Sequence, residues 1–299
     1  MYKRISAPER RSHSRKGTEQ MKTSITIWSF HREIGSGAMD VPGFLKEAKK
    51  LGFKAVELLS VWTESPEQIK QVRESAADLG LAICAYGIHN DFACAGSELD
   101  AQVDFVRKGI ETAARLGCPI LRVFGGDAKE GLTFDKARGT IVEGFYRCAP
   151  DAKAAGVTMA LENHGWLSCT SNSVLRIIKG VGSPALKSTL DTGNFLIGDE
   201  DPIVAARNLA KEVAHVHVKD VRWKTPPDEK AQVFVSVKGR KVQPETIGEG
   251  EIDLPKILRI LKKADYQGYL SLEYEGNDPE PKGIPISAKN LLRMAAEVG

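Results

Sequence analysis

Four runs of alternating, β-branched sequence end in side chains that bind hard cations or move protons. Glu162 ends the run 157–162, Asp191 ends 185–191, His215 and His217 lie within 213–219, and Glu273 ends 268–273. Successive side chains on an extended chain point to opposite faces. In the first run Val157, Met159 and Leu161 form an apolar face, and Thr158, Ala160 and Glu162 share the other. In the last, Leu270 and Leu272 oppose Tyr269, Ser271 and Glu273, while His215 and His217 lie together opposite Ala214, Val216 and Val218. Three carboxylates converging on one cavity would repel one another and resist ionisation unless a cation sits among them. A divalent metal meets that need. An oxygen-rich set with one imidazole favours Mn²⁺ or Mg²⁺, with Co²⁺ and Zn²⁺ as alternatives.

Such convergence requires parallel strands that end on one side of a sheet. From Ser24 onward the chain alternates strand-like and helix-like stretches eight times, with strands expected at 24–30, 54–59, 81–86, 120–124, 157–162, 185–191, 213–219 and 268–273. Amphipathic patterns at 41–51, 66–79, 98–116 and 134–155 supply the intervening helices, and Gly52, Gly80, Gly117 and Gly156 stand where a left-handed helix cap is expected. Strict β–α alternation over about 275 residues predicts an α/β fold, a single-domain (β/α)8 TIM barrel, whose active sites form at the C-terminal ends of the strands. No GxGxxG follows the first strand, which weighs against a doubly wound open sheet. The one long irregular stretch, 221–249, reads as a lid or substrate-shaping loop.

Composition removes several classes. The 299 residues contain no run of about 18 apolar residues, so no membrane span is expected. The formal charge of +3 is a property of the first twenty residues, with six basic and two acidic side chains; from Met21 onward the chain carries −1. Neither a nucleic-acid partner nor a membrane partner follows from that balance. Residues 1–20 read as a disordered basic extension and Met21 as a start site, with the barrel spanning 21–299. Five cysteines without a CxxC pair indicate reduced thiols in a cytoplasmic protein.

The segments Ala160-Leu161-Glu162-Asn163-His164, Leu190-Asp191-Thr192-Gly193-Asn194, His215-Val216-His217-Val218-Lys219-Asp220, Gly248-Glu249-Gly250-Glu251-Ile252-Asp253 and Ser271-Leu272-Glu273-Tyr274-Glu275 occur in a characteristic order and spacing. With them the chain, from about Met21 onward, resembles the xylose-isomerase-like barrel superfamily, in its sugar phosphate isomerase/epimerase branch. The resemblance implies metal ligands at Glu162, Asp191, His217 and Glu273, leaving His215 to orient a ligand from behind. It also implies a small carbohydrate substrate and a homo-oligomer, dimer or tetramer.

Departures from the family pattern narrow the reading. Relatives of type IV DNA-repair endonucleases need a histidine where Asn194 stands and an Asp-Arg-His run where Val242, Gln243 and Pro244 stand. Ketohexose 3-epimerases carry a histidine, a glutamate and an arginine where this chain has Asn194, Ser168 and Trp223, although Arg222 is adjacent. The metal set is kept and the pocket rewritten.

The implied chemistry is proton transfer beside a carbonyl through a metal-stabilised enediolate, with Glu162 and Glu273 as general base and acid. A β-elimination of the inosose dehydratase or C-glycoside deglycosidase kind is the alternative, and a non-catalytic sugar-binding protein a third. Around this centre Lys219 continues the His217 phase toward a substrate oxygen, Trp28 follows Thr26 on the first strand as a stacking face, and Glu57 ends the second strand. His89 and His164 lie just past strand ends, Asn194 and Arg222 complete the substrate-binding candidates, and Arg122 points inward but low. The Gly248-Glu249-Gly250 turn is too short for a phosphate loop.

Overall fold

The computed structural model describes residues 20–223 and 231–299. Its parallel strands are β1 (Lys22–Thr26), β2 (Ala55–Leu59), β3 (Ala82–Gly87), β4 (Ile120–Val123), β5 (Thr158–Glu162), β6 (Leu186–Asp191) and β7 (Val213–Val218). After them come β8 (Asp220–Trp223), β9 (Phe234–Val235), β10 (Lys241–Glu245) and β11 (Tyr269–Leu272). Strands β1 to β7 and β11 close into a barrel in the order β1-β11-β7-β6-β5-β4-β3-β2. This is the expected (β/α)8 architecture. The basic extension at 1–20 lies outside the described residues apart from Gln20. Among the described residues no helix is long and apolar enough to cross a membrane.

Helices at Val41–Lys50, Pro66–Asp78, Ser97–Leu116 and Phe134–Ala155 occupy the first crossovers. Their starts follow local chemistry. The Asp40 carboxylate accepts from Gly43 N–H at 2.7 Å, and Ser65 and Gln68 form a reciprocal capping box. Two of the long helices stop at Gly117 (φ 72°) and Gly156 (φ 67°), a backbone conformation that side chains with a Cβ disfavour. Leu99, Val103, Val106, Ile110 and Ala113 recur on one helical face and join Met159, Leu161, Leu186 and Leu190 in the layer between strands and helices. The barrel interior is different in kind. Its lower end is plugged by Ala55, Cys84 and Ala85 with Ile120 and Tyr269, and above them the inward residues are polar.

Two corrections to the strand reading bear on the site. The first strand ends at Thr26, and Trp28 sits on a 3-10 turn, Ile27–Phe30, because the Thr26 hydroxyl accepts from Trp28 N–H and caps it. The stretch expected to be irregular holds the small antiparallel sheet β8-β10-β9, while residues 224–230 of it lie outside the described residues. Val221 of β8 and Val242 of β10 are buried with Leu196 on one side of that sheet. The glycine turn serves it: Gly248 and Gly250 N–H groups donate to Asp220 Oδ2 at 2.8 and 3.0 Å. A Cβ at Gly250 would meet Asp220 Oδ1 at 2.0 Å, so the turn cradles the chain's own carboxylate.

Candidate metal centre

The register of β6, β7 and β11 assembles the centre. A shift between Ser188 and Thr189 makes Thr189 face His215 and Asp191 face His217, and on the other side Ser271 faces His217. Such bulges re-aim side chains next to active sites. Glu162, Asp191, His217 and Glu273 each then offer a ligand atom within 4.8 Å of the others. All four are buried.

Hydrogen bonds engage one atom each of Asp191, His217 and Glu162 and leave the other toward the centre. Asp191 Oδ1 accepts from the N–H groups of Gly193 and Asn194, both at 2.8 Å. Asn163 clamps the same residue from behind, accepting from Asp191 N–H at 2.8 Å and donating to Asp191 O at 3.0 Å. The His217 ring is divided: Nε2 lies 3.0 and 2.9 Å from the two Glu57 oxygens, and Nδ1 lies 3.3 Å from Glu273 Oε1 and 3.6 Å from Glu162 Oε2. Asp191 Oδ2, His217 Nδ1 and Glu273 Oε2 are buried without a hydrogen-bond partner. These three ligand atoms, two of them facing only the Lys219 ammonium, converge on one spot with Glu162 beside them, a donor set that fits a divalent cation.

The charges around the ligands push their protonation apart. Burial raises Asp191 well above the usual carboxylate range, and the neighbouring Glu273 and Glu162 charges reinforce it despite Lys219. Burial also raises Glu162, with His217 and Arg122 offsetting only part. For Glu273 burial is outweighed by Lys219 and His217, which hold it well below. His217 is buried yet raised well above the imidazole range, because Glu57, Glu273 and Glu162 surround it.

Above the ligands opens a cavity of about 270 Å³. On one side stands the Trp28 indole, stacked on Trp62 at 6.0 Å and His31 at 4.7 Å. On the other, Phe124 carries the Arg122 guanidinium at 4.3 Å and packs against His164 at 4.2 Å and His89 at 5.0 Å. Burial first, then Lys219 and Arg122, lower His164 to about 4, so its imidazole is neutral near pH 7. Arg122 Nε lies 3.4 Å from Glu162 Oε2. A second groove, of about 380 Å³ beside Trp223 and Arg240, contains none of the four ligands.

The structure therefore groups the candidates in three places. Glu162, Asp191, His217 and Glu273 converge, with Lys219 and Asn194 among them, and Trp28, His89 and His164 line the cavity. Asn194 is already engaged, donating to Glu162 Oε1 at 3.1 Å and accepting from Lys219 Nζ at 3.3 Å. Glu57 and His215 lie beneath the centre: His215 Nε2 is 2.9 Å from Glu57 Oε2, and Ser271 Oγ donates to the same oxygen at 3.1 Å. Glu57 is fully enclosed, so a substrate in the cavity does not reach it. Arg222 is elsewhere, paired with Glu245 at 2.8 Å and with the Glu249 carbonyl, because β8 leaves the barrel.

Three residues escaped the sequence reading. Glu275 lies two residues past Glu273 and lines the cavity, a place the same period of two could have signalled. Phe124 hid among apolar strand residues. Asn163 follows Glu162 on the opposite phase, which alternation assigns to the helix layer; only the turn after β5 brings it to Asp191. Replacing Asn163 with leucine is expected to lower divalent-metal affinity by about 10–100-fold, the usual cost of removing a group that orients a ligand. Calorimetric titration with Mn²⁺ measures it, and an unchanged affinity would refute the clamp.

Residues 45–294 match the family model described as xylose isomerase-like TIM barrel. An inosose dehydratase of Clostridium perfringens (strain 13 / Type A) is 25% identical over 251 residues, covering 82% of this chain and 79% of the relative. Among solved structures, a D-psicose 3-epimerase in the presence of D-fructose superposes with a TM-score of 0.69 at 17% identity, over 93% of this chain and 98% of that one. An L-ribulose 3-epimerase does so with a TM-score of 0.70 at 19% identity, over 93% and 95%. At these identities the superpositions show a shared fold.

Proposed function

Because this chain belongs to the xylose isomerase-like TIM barrel family, we propose that it is a divalent-metal-dependent isomerase or epimerase of a small sugar or sugar derivative, moving a proton at the carbon beside a carbonyl. One observation carries the reading: Glu162 and Glu273 flank His217 Nδ1, at 3.6 and 3.3 Å, and both line the cavity above it. They come from β5 and from just beyond β11, three strands apart around the ring, so a substrate between them meets a carboxylate from either side.

When bound, a divalent cation held by Glu162, Asp191, His217 and Glu273 supplies a Lewis acid that polarises the substrate carbonyl. Three oxygen ligands and one nitrogen suit Mn²⁺ or Mg²⁺. The residues do the rest. Glu162 is aimed by the Asn194 amide on one oxygen and by Arg122 near the other, and takes the proton from carbon. Glu273 rests ionised beside Lys219 and His217, so it takes up a proton from a substrate hydroxyl or solvent before returning one to carbon from the other side. Neutral His164 is a hydrogen-bond partner for a hydroxyl, and Trp28 faces Phe124 across the pocket, offering apolar ring faces to the C–H side of a sugar.

The C. perfringens relative favours a second reading, in which the same proton abstraction is followed by loss of water. Proton NMR in D₂O separates the two over a panel of ketoses, keto-inositols and their glycosides. Deuterium entering at the carbon beside the carbonyl, with mass otherwise conserved, is the expected result. Release of water or of an aglycone overturns the isomerase reading in favour of elimination.

A further inference from the structure

Proton transfer between Glu162 and Glu273 does not use Lys219, yet the fold takes care to place it. Only 4% of the residue is exposed. Thr192 fixes its backbone twice: Lys219 N–H donates to Thr192 Oγ1 at 2.9 Å, and the Thr192 hydroxyl donates to Lys219 O at 2.6 Å. Its stem runs over Gly193, where a Cβ would stand 2.8 Å from Lys219 Cγ and 2.9 Å from Cδ. Any side chain at position 193 would displace the lysine.

The ammonium so delivered lies between two sets of carboxylates. Nζ is 3.2 Å from Asp191 Oδ2 and 2.8 Å from Glu273 Oε2, both oxygens of the metal set. It is also 2.8 Å from Glu275 Oε2, which is not. Glu275 is held from its other side, where Oε1 accepts from the Trp28 indole N–H at 2.7 Å. None of the three oxygens facing Nζ has a hydrogen-bond partner of proper geometry; the one hydrogen bond Nζ makes is to Asn194 Oδ1. The lysine meets the ligand carboxylates as ion pairs.

We infer that Lys219 is a built-in counter-cation that competes with the divalent metal for Asp191 and Glu273, and that Glu275 is the carboxylate to which its ammonium withdraws when the metal enters. The inference rests on the metal-centre reading above. A single charge tethered within about 4 Å of the ligand oxygens repels an arriving dication strongly in a buried site, and the tether lets it move aside but not leave. Lys219 and Glu275 therefore set metal affinity in opposite directions, which a lysine serving only to fill space or to brace the loop would not do.

The test is calorimetric titration of the metal-stripped full chain with Mn²⁺, with free Mn²⁺ read independently by electron paramagnetic resonance. Lys219→Met is expected to tighten Mn²⁺ binding by about 10-fold or more, and Glu275→Gln to weaken it by about 10-fold, the scale on which groups behind a metal site act. Circular dichroism with and without Mn²⁺ accompanies both. A Lys219→Met chain that is unfolded without metal and folds on adding Mn²⁺ supports the inference. Wild-type or weaker binding in a folded Lys219→Met chain, or wild-type affinity in Glu275→Gln, overturns it while leaving the metal centre standing. If the wild-type chain binds no Mn²⁺ at millimolar concentration, the metal reading falls and takes the inference with it.

Discussion

Glutamine at position 162 is expected to lower kcat by about 10²–10⁴-fold at saturating Mn²⁺, the range that a positioned general base contributes. The substitution preserves shape in a site where only 2% of Glu162 is exposed. The side-chain carbonyl still accepts from Asn194 Nδ2, so the fold is retained and the loss falls on the proton transfer. With its carbonyl on Asn194, the glutamine presents NH2 where Oε2 faced the ligand set, so metal affinity falls too, and saturating Mn²⁺ separates the lost proton transfer from that weaker binding. The discriminating measurement is exchange of the substrate's α-proton with solvent, which should disappear together with turnover. A variant that keeps wild-type kcat and exchange would show that the proton leaves to another group, and Glu273 would be the first to test.

Glu57→Gln is the second large effect, and it acts without touching substrate. Glu57 lies under the centre with His215, His217 and Ser271 all directed at it. Burial alone would raise its carboxyl, but His217 and His215 outweigh burial and hold it well below the ordinary value of 4.5. Removing the charge leaves the enclosed His215 without its carboxylate and His217 with only Glu273 and Glu162, a loss of about 3–5 kcal/mol for a broken buried pair. It also frees the His217 ring, for which about 10–100-fold in metal affinity is expected.

The pH dependence of the Glu57 contribution has a definite sign. A carboxyl whose pKa is depressed in the folded chain stabilises fully above its unfolded value and loses that contribution as pH falls below about 4.5. Denaturant unfolding should therefore show the largest gap between wild type and Glu57→Gln near neutral pH, narrowing steadily in acid. A gap independent of pH would mean that Glu57 is not ionised in the folded chain.

Much of the fold was legible because its rules are local. A period of two separates strand faces, a helical period places Leu99 through Ala113 on one side, and glycines mark helix ends, each without knowledge of distant neighbours. The same period places Glu162, Asp191 and Glu273 at strand ends on the inward phase, and the structure brings them within ligand distance of His217. Alternation misjudged residues where the chain leaves the strand. Trp28 turned onto a 3-10 turn, Asn163 reached back to Asp191, and β8 paired with β10 in a separate small sheet that carried Arg222 away from the cavity.

What the sequence alone determined is thus the barrel and the side of it on which the carboxylates gather, since both follow from periodicity along a few residues. The tertiary structure decided depth and direction. It placed Glu57 below the centre instead of at its mouth, gave Nε2 of His217 to Glu57 and Nδ1 to the ligand set, and set Lys219 between Glu273 and Glu275. Those choices depend on cross-strand register, including the shift at Ser188, and on which buried charges must be paired once water is excluded. Both are properties of the closed barrel, and no single strand contains them.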